Sequence, residues 1–212
     1  MNGVFITIEG VEGCGKTTQI ARLGDLLASK GYNVLLTREP GGTALAERIR
    51  ELLLDPSNHA MSPLTELLLY EAARAQHVEE RIRPALEAGA VVLCDRFADS
   101  TTAYQGAGRN LPRETVLALH RIATAGVWPD LTIVIDVPAA EGLRRASRVR
   151  RQDRIEGEPQ AFHERVRECF LELARQEPHR VRVVDGMQSP DAVADAIAVL
   201  VAGFLDNRSA GR

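Results

Sequence analysis

The sequence predicts a three-layer α/β fold: a five-stranded parallel sheet with helices on both faces. Short β-branched apolar runs alternate with longer segments of helical period. Three of these runs, at 4–9, 90–94 and 131–137, are almost continuously apolar, as strands buried on both faces are. The stretches between them are long enough for the crossovers that parallel pairing requires. A length of 212 residues suits a single domain.

The first strand is VFITIE at 4–9, which ends at a glycine. From Lys16 to Ser29 the period turns helical, with Ile20, Leu23, Leu26 and Leu27 on one side and Gly31 as the stop. NVLLT at 33–37 reads as the second strand, followed by the turn Pro40-Gly41-Gly42. Helical patterns cover 44–54 and 63–87, separated by Asp55-Pro56-Ser57 and closed by Gly89. AVVLC at 90–94, LTIVIDV at 131–137 and the weaker VRVVD at 181–185 complete the strands. Ser189-Pro190 then marks an N-cap and a first helical residue.

Composition excludes several classes. Apolar residues at 45% and charged residues at 26% are ordinary globular values, and a net charge of −3 lacks the basic surplus of a nucleic-acid or anionic-membrane binder. The longest apolar run, Ala196 to Leu205, is too short to span a bilayer, and the N-terminal segment has no export signature. Cys14, Cys94 and Cys169 form neither a disulfide framework nor a CxxC site, which points to a reducing cytoplasm. The five histidines read as surface or packing residues. With 26 basic side chains of which only Lys16 and Lys30 are lysines, any functional lysine is one of those two.

Gly10-Val11-Glu12-Gly13-Cys14-Gly15-Lys16-Thr17 is a complete G-x-x-x-x-G-K-T loop between a strand and a helix. Glycines let successive N–H groups turn toward phosphate oxygens, and the following helix adds its positive end. Lys16 neutralises phosphate charge, and the Thr17 hydroxyl suits Mg²⁺. The predicted fold is therefore of the P-loop NTPase type.

Other features narrow the class. No N-K-x-D segment exists to read guanine. The strand at 90–94 runs into Asp95-Arg96: the aspartate is placed for Mg²⁺, and the arginine suits a second anion. Arg144, Arg145, Arg148, Arg150, Arg151 and Arg154 cluster before Ile155-Glu156-Gly157. This segment, about 144–157, reads either as a solvated helical face or as an arginine-rich lid over a triphosphate.

These residues carry a resemblance to the bacterial thymidylate kinases. It extends from Val4 to about Leu205 through FITIEGVEGCGKTTQ, TREPGGT at 37–43, YEAARAQH at 70–77, DRFADSTTAYQGAGR at 95–109, WPDLTIVIDV at 128–137 and DRIE at 153–156. The resemblance implies the reaction ATP + dTMP → ADP + dTDP, Mg²⁺ dependence and a homodimer. By position, the loop from Gly10 to Thr17, with Thr18 beside it, would hold the ATP phosphates, and Thr17 and Asp95 the metal. Lys16 would be the main electrostatic catalyst, and Glu12 would sit near the acceptor's sugar 3′-hydroxyl. Arg38 and Arg96 would hold the acceptor phosphate. Tyr70 would stack on the base, where phenylalanine is common, and Arg74 would approach its edge. Ser100, Thr101 and Gln105 would join the acceptor pocket at about 38–109, and Tyr104 would disfavour ribose. Arg154 is the leading candidate to reach ATP, with Arg148, Arg150 and Arg151 as rivals. Other nucleoside or nucleotide kinases, and a nucleotide-binding regulator without turnover, stay open as alternatives.

Overall fold

The computed structural model describes residues 3–148 and 152–210. Five strands form one parallel sheet: β1 (Val4–Glu9), β2 (Val34–Arg38), β3 (Val91–Asp95), β4 (Leu131–Asp136) and β5 (Val181–Asp185), in the order β2-β3-β1-β4-β5. β1 lies at the centre, pairing Ile6 with Leu93 on one side and with Leu131 on the other. Its six residues are all buried, whereas the edge strands β2 and β5 are partly exposed. The near-continuous apolar runs are thus the three inner strands. Strands two and three begin one residue later than the sequence predicts.

Helix α1 (Lys16–Ser29) follows the phosphate loop and ends through Gly31, whose φ of 86° needs no β-carbon. Helix α2 (Ala44–Leu54) is N-capped by the Thr43 hydroxyl. The 63–87 stretch is one continuous helical rod made of α3 (Pro63–His77), a π-turn at Val78–Ile82 and α4 (Arg83–Glu87). After β3, a short helix α5 (Ala98–Thr101) runs into a second π-helical stretch at Thr102–Gly108. Single-turn π insertions recur at functional sites, because the extra residue redirects side chains.

Four further helices complete the layers: α6 (Arg113–Thr124), α7 (Ala139–Ala146), α8 (Gln160–Gln176) and α9 (Pro190–Ala210). The Ser189 hydroxyl caps α9 as expected, accepting from the Ala192 N–H at 3.2 Å. α9 packs on α1, while α8 packs on the 102–108 stretch and carries Phe162, Val166 and Phe170 into the core. The arginine cluster does not form one face. Arg144 and Arg145 occupy the last turn of α7, where cations favour the helix dipole, and both pair with Glu141. Arg150 and Arg151 lie outside the described residues.

Two glycines set how closely the phosphate loop approaches α7. A β-carbon on Gly13 (φ 65°) would meet the Gly142 carbonyl, and one on Gly142 would meet the Glu12 carbonyl. Both positions need the bare backbone for this contact.

Candidate active site

The loop between β1 and α1 wraps around Lys16, which is buried. The Lys16 Nζ donates to the Gly10 and Val11 carbonyls at 3.0 and 2.8 Å and lies 3.5 Å from the Cys14 Sγ. Gly15, in the left-handed region at φ 99°, opens α1 without any side-chain cap, so the first backbone N–H groups of α1 are left for an anion. The Thr17 Oγ1 donates to Asp95 Oδ2 at 3.0 Å, bringing together two hard oxygen groups from the loop and the end of β3. Such a pair fits Mg²⁺, which takes one or two protein oxygens and fills its shell from phosphates and water. Among the described residues no cluster of three or more His, Cys, Asp or Glu could hold a metal by itself.

Arg96 follows β3 with φ 73°, an uncommon value for a non-glycine residue that aims its side chain back over the loop. Its guanidinium donates to the Gly10 carbonyl (2.9 Å), Ser100 Oγ (3.2 Å) and Glu12 Oε1 (3.3 Å), and lies over the Tyr104 ring. Among the described residues Glu12 accepts three donors, with the Tyr104 hydroxyl at 2.6 Å and His163 Nδ1 at 3.2 Å beside Arg96. Burial alone would raise the Glu12 carboxyl. The hydrogen bond from His163 and the charges of Arg96 and Lys16 win, holding it down at about 2.

Beneath these groups, Glu9 at the end of β1 accepts the Phe97 N–H at 2.7 Å and the Ser100 hydroxyl at 2.6 Å. Burial, with Asp99 nearby, pushes its carboxyl up to about 8.

Arg74 on α3 is fully buried and uses all three nitrogens. The Nε donates to Glu39 Oε2 at 2.8 Å, Nη1 to Glu71 Oε1 at 2.6 Å and Nη2 to Thr101 Oγ1 at 2.9 Å. His77 backs Glu39 at 3.0 Å, and His120 backs Glu71 at 2.9 Å. The result is a buried ionic chain linking the loop after β2 with α3, α5 and α6. Burial disfavours the Arg74 cation, but Glu39 and Glu71 outweigh it and hold the guanidinium firmly protonated.

One cleft of about 810 Å³ is lined by Lys16, Thr17, Asp95 and Arg96 from among these groups. Every residue the resemblance assigned to the acceptor lines it: Glu12, Arg38, Tyr70, Arg74, Arg96, Ser100, Thr101, Tyr104 and Gln105. From the donor side, Gly13, Gly15, Lys16, Thr17 and Thr18 line the same cleft, as does Asp95. Arg38 enters it half exposed and paired with Glu47 at 2.8 Å. Gln105 is fixed by its amide nitrogen on Glu66 at 2.8 Å.

Arg154 is held by other partners in this structure. Its Nε donates to the Leu53 carbonyl at 2.8 Å and its Nη1 pairs with Glu66 at 2.6 Å, so the side chain is buried against α2 and α3 and does not line the cleft. The full negative charge of Glu66, itself inaccessible to water, accounts for the capture. Arg148 is exposed just beyond α7.

Sequence reasoning passed over several site residues. Arg50 lines the cleft and donates to the Pro40 carbonyl at 2.9 Å. Glu9 had a visible signal, since a carboxylate ending a strand buried on both faces needs a partner. Of the five histidines, His59 and His179 are exposed as surface residues are. His77, His120 and His163 are buried, each on a glutamate.

Known proteins resemble this chain along most of its length. The family model described as Thymidylate kinase matches residues 8–197. The chain belongs to the thymidylate kinase family. A thymidylate kinase of Geobacter sulfurreducens is 56% identical over 92% of this chain and 95% of its own length. One from Pelobacter propionicus is 52% identical over 97% of this chain and 95% of its own length. Among solved structures, the thymidylate kinase of Ehrlichia chaffeensis superposes with a TM-score of 0.77 at 35% identity, covering 95% of this chain and 99% of that one. Family membership and the all-parallel sheet together establish the P-loop NTPase fold.

Proposed function

We propose that this chain transfers the γ-phosphoryl group of ATP to dTMP, giving dTDP and ADP. The observation that carries this reading is one cleft with two differently built ends. At one end stand the phosphate loop and the bare start of α1. At the other, Arg38 and Arg96 lie beside a pocket made by Tyr70, Arg74, Thr101 and Gln105. Two anionic groups meet between them, as phosphoryl transfer between nucleotides requires.

In this reading the backbone N–H groups of Gly13 to Thr18 and the Lys16 ammonium hold the ATP phosphates. Arg38 and Arg96 bind the dTMP phosphate and screen its charge from the γ-phosphate. An oxygen of the dTMP phosphate attacks the γ-phosphorus in line, and the bond to the β–γ bridging oxygen breaks to release ADP. No protein nucleophile takes part; the enzyme contributes positioning and charge neutralisation. Thr17 and Asp95 would hold Mg²⁺, which supplies further neutralisation of the phosphate oxygens when bound. Glu12 accepts the sugar 3′-hydroxyl, and Tyr104 crowds the 2′ position. Arg154 pairs with Glu66, and Arg148, exposed beyond α7, stands beside it as the described rival for the donor-side lid role.

We further place the enzyme in the cytoplasm as a homodimer. Three free cysteines support the compartment, and among the described residues no helix is long and apolar enough to cross a membrane. Leu45 and Leu52 on α2 and Leu64 and Leu68 on α3 are each about half exposed, and the two helices pack together. An apolar face of this kind suits a second copy.

A coupled ADP-release assay with Mg·ATP tests the reaction, with dTMP, dUMP, CMP, AMP, GMP and thymidine as parallel acceptors. We expect dTMP to stand well above the rest. A different preferred acceptor would leave the phosphate chemistry intact and refute the base-pocket assignment. Leu68→Glu is expected to shift the mass measured by light scattering from dimer to monomer; an unchanged mass would move the interface elsewhere.

A further inference from the structure

We infer that His163 is a positioning residue that aims one particular oxygen of Glu12 at the acceptor's sugar. The inference rests on the proposed role of Glu12 toward the 3′-hydroxyl and assigns what directs it.

The two carboxylate oxygens of Glu12 are not equivalent. Oε1 accepts both the Tyr104 hydroxyl at 2.6 Å and Arg96 Nη2 at 3.3 Å. Oε2 has His163 Nδ1, at 3.2 Å, as its one hydrogen-bond partner among the described residues. A carboxylate oxygen accepts about two hydrogen bonds, so Oε1 is filled and Oε2 keeps a lone pair for a ligand hydroxyl. Glu12 lines the cleft, so that lone pair is within a ligand's reach. The donors on Oε1 hold one end of the carboxylate, and His163 is the one described group that holds Oε2 directly.

His163 is suited to this by its own burial. The ring is 0% exposed on α8, flanked by Phe162, whose ring packs edge-on against it and against Tyr104. The Nε2 is buried with no hydrogen-bond partner among the described residues. A proton on Nε2 would bury an unpaired N–H, and Glu12 requires a donor at Nδ1. Between the two tautomers, both constraints select the one with its proton on Nδ1. The imidazole is thus a one-directional donor held by the core. A packing role alone needs no polar atom at this place.

The test uses His163→Leu and His163→Asn. Leucine and asparagine have nearly the same shape, and only the asparagine amide restores a donor near the Nδ1 position. Acceptors are dTMP and 3′-deoxythymidine monophosphate, which lacks the hydroxyl. We expect His163→Leu to raise KM for dTMP roughly tenfold, the loss of one hydrogen bond to a charged group, with kcat much less affected. KM for the 3′-deoxy acceptor should stay within about twofold, and His163→Asn should recover most of the difference. Equal behaviour of the two variants, or an equal penalty on both acceptors, overturns the inference.

Glu12→Gln separates this inference from the reading beneath it. If Glu12→Gln abolishes the preference for dTMP over its 3′-deoxy analogue and His163→Leu does not, the inference fails and the Glu12 role stands. If neither changes that preference, the Glu12 role fails and takes the inference with it. Should neither His163 variant fold, nitrogen-detected histidine NMR of the unmodified protein decides. A proton on Nδ1 of His163 supports the inference, and a proton on Nε2 alone overturns it.

Discussion

Replacing Arg74 by methionine isolates the buried ionic chain. Methionine keeps much of the aliphatic stem and removes the donors to Glu39, Glu71 and Thr101. Arg74 is 1% exposed, Glu39 4% and Glu71 5%, so water cannot replace the lost partner. Removing one member of a buried pair costs about 3–5 kcal/mol, and here two carboxylates lose the same partner. Each keeps a histidine, His77 on Glu39 and His120 on Glu71, so the low end of that range applies. We expect a loss of about 3 kcal/mol, which lowers Tm by about 6–12 °C for a domain of this size. The comparison is Arg22→Met. That variant breaks the Arg22–Asp191 pair, whose side chains are 44% and 85% exposed, and should cost under about 1 kcal/mol. Arg74→Lys should recover only part of the loss, because an ammonium cannot reproduce three bonds from a planar fork. Urea unfolding of the three variants is the assay. An Arg74→Met loss no larger than that of Arg22→Met would refute the reasoning.

Two more variants probe the loop and the strand beneath it. Lys16→Ala should lower kcat by roughly a hundredfold or more, because it removes a preorganised charge at the transferring group. Its Tm should change little, since the Gly10 carbonyl keeps Arg96 as a donor; near-wild-type turnover would refute the mechanism. For Glu9, the carboxyl sits near 8 in the native chain against an ordinary 4.5. Between those values the native state holds a proton that the unfolded chain has released, so its stabilising contribution is full below about 4.5 and is lost as pH rises through about 8. Glu9→Gln mimics the protonated form. Its urea midpoint should fall less than wild type between about pH 5 and pH 9; parallel pH profiles would show that Glu9 carries no such proton.

The sheet and the phosphate loop were legible in the sequence because both are local. A strand buried on two faces must be apolar along its length, and a loop that turns its N–H groups inward must place glycines at set intervals. Helix α8 carried a signal as well, with Phe162, Val166 and Phe170 four residues apart, and so could have been read. The site was legible only in part. The phosphate loop, TREPGGT, YEAARAQH and DRFADSTTAYQG held residues that line the cleft, but did not show how those residues restrain one another. Which of several arginines lies over a ligand depends on which carboxylates have already captured its neighbours. Glu66, Glu71 and Glu12 take Arg154, Arg74 and Arg96 respectively. Those captures join residues 88, 3 and 84 positions apart, and only the 3-residue spacing leaves a periodic mark. The hold of Glu66 on Arg154 was invisible for this reason: a spacing argument treats every arginine in a cluster as available. In a fold this rich in arginine, the buried glutamates fix where several of the guanidinium groups stand.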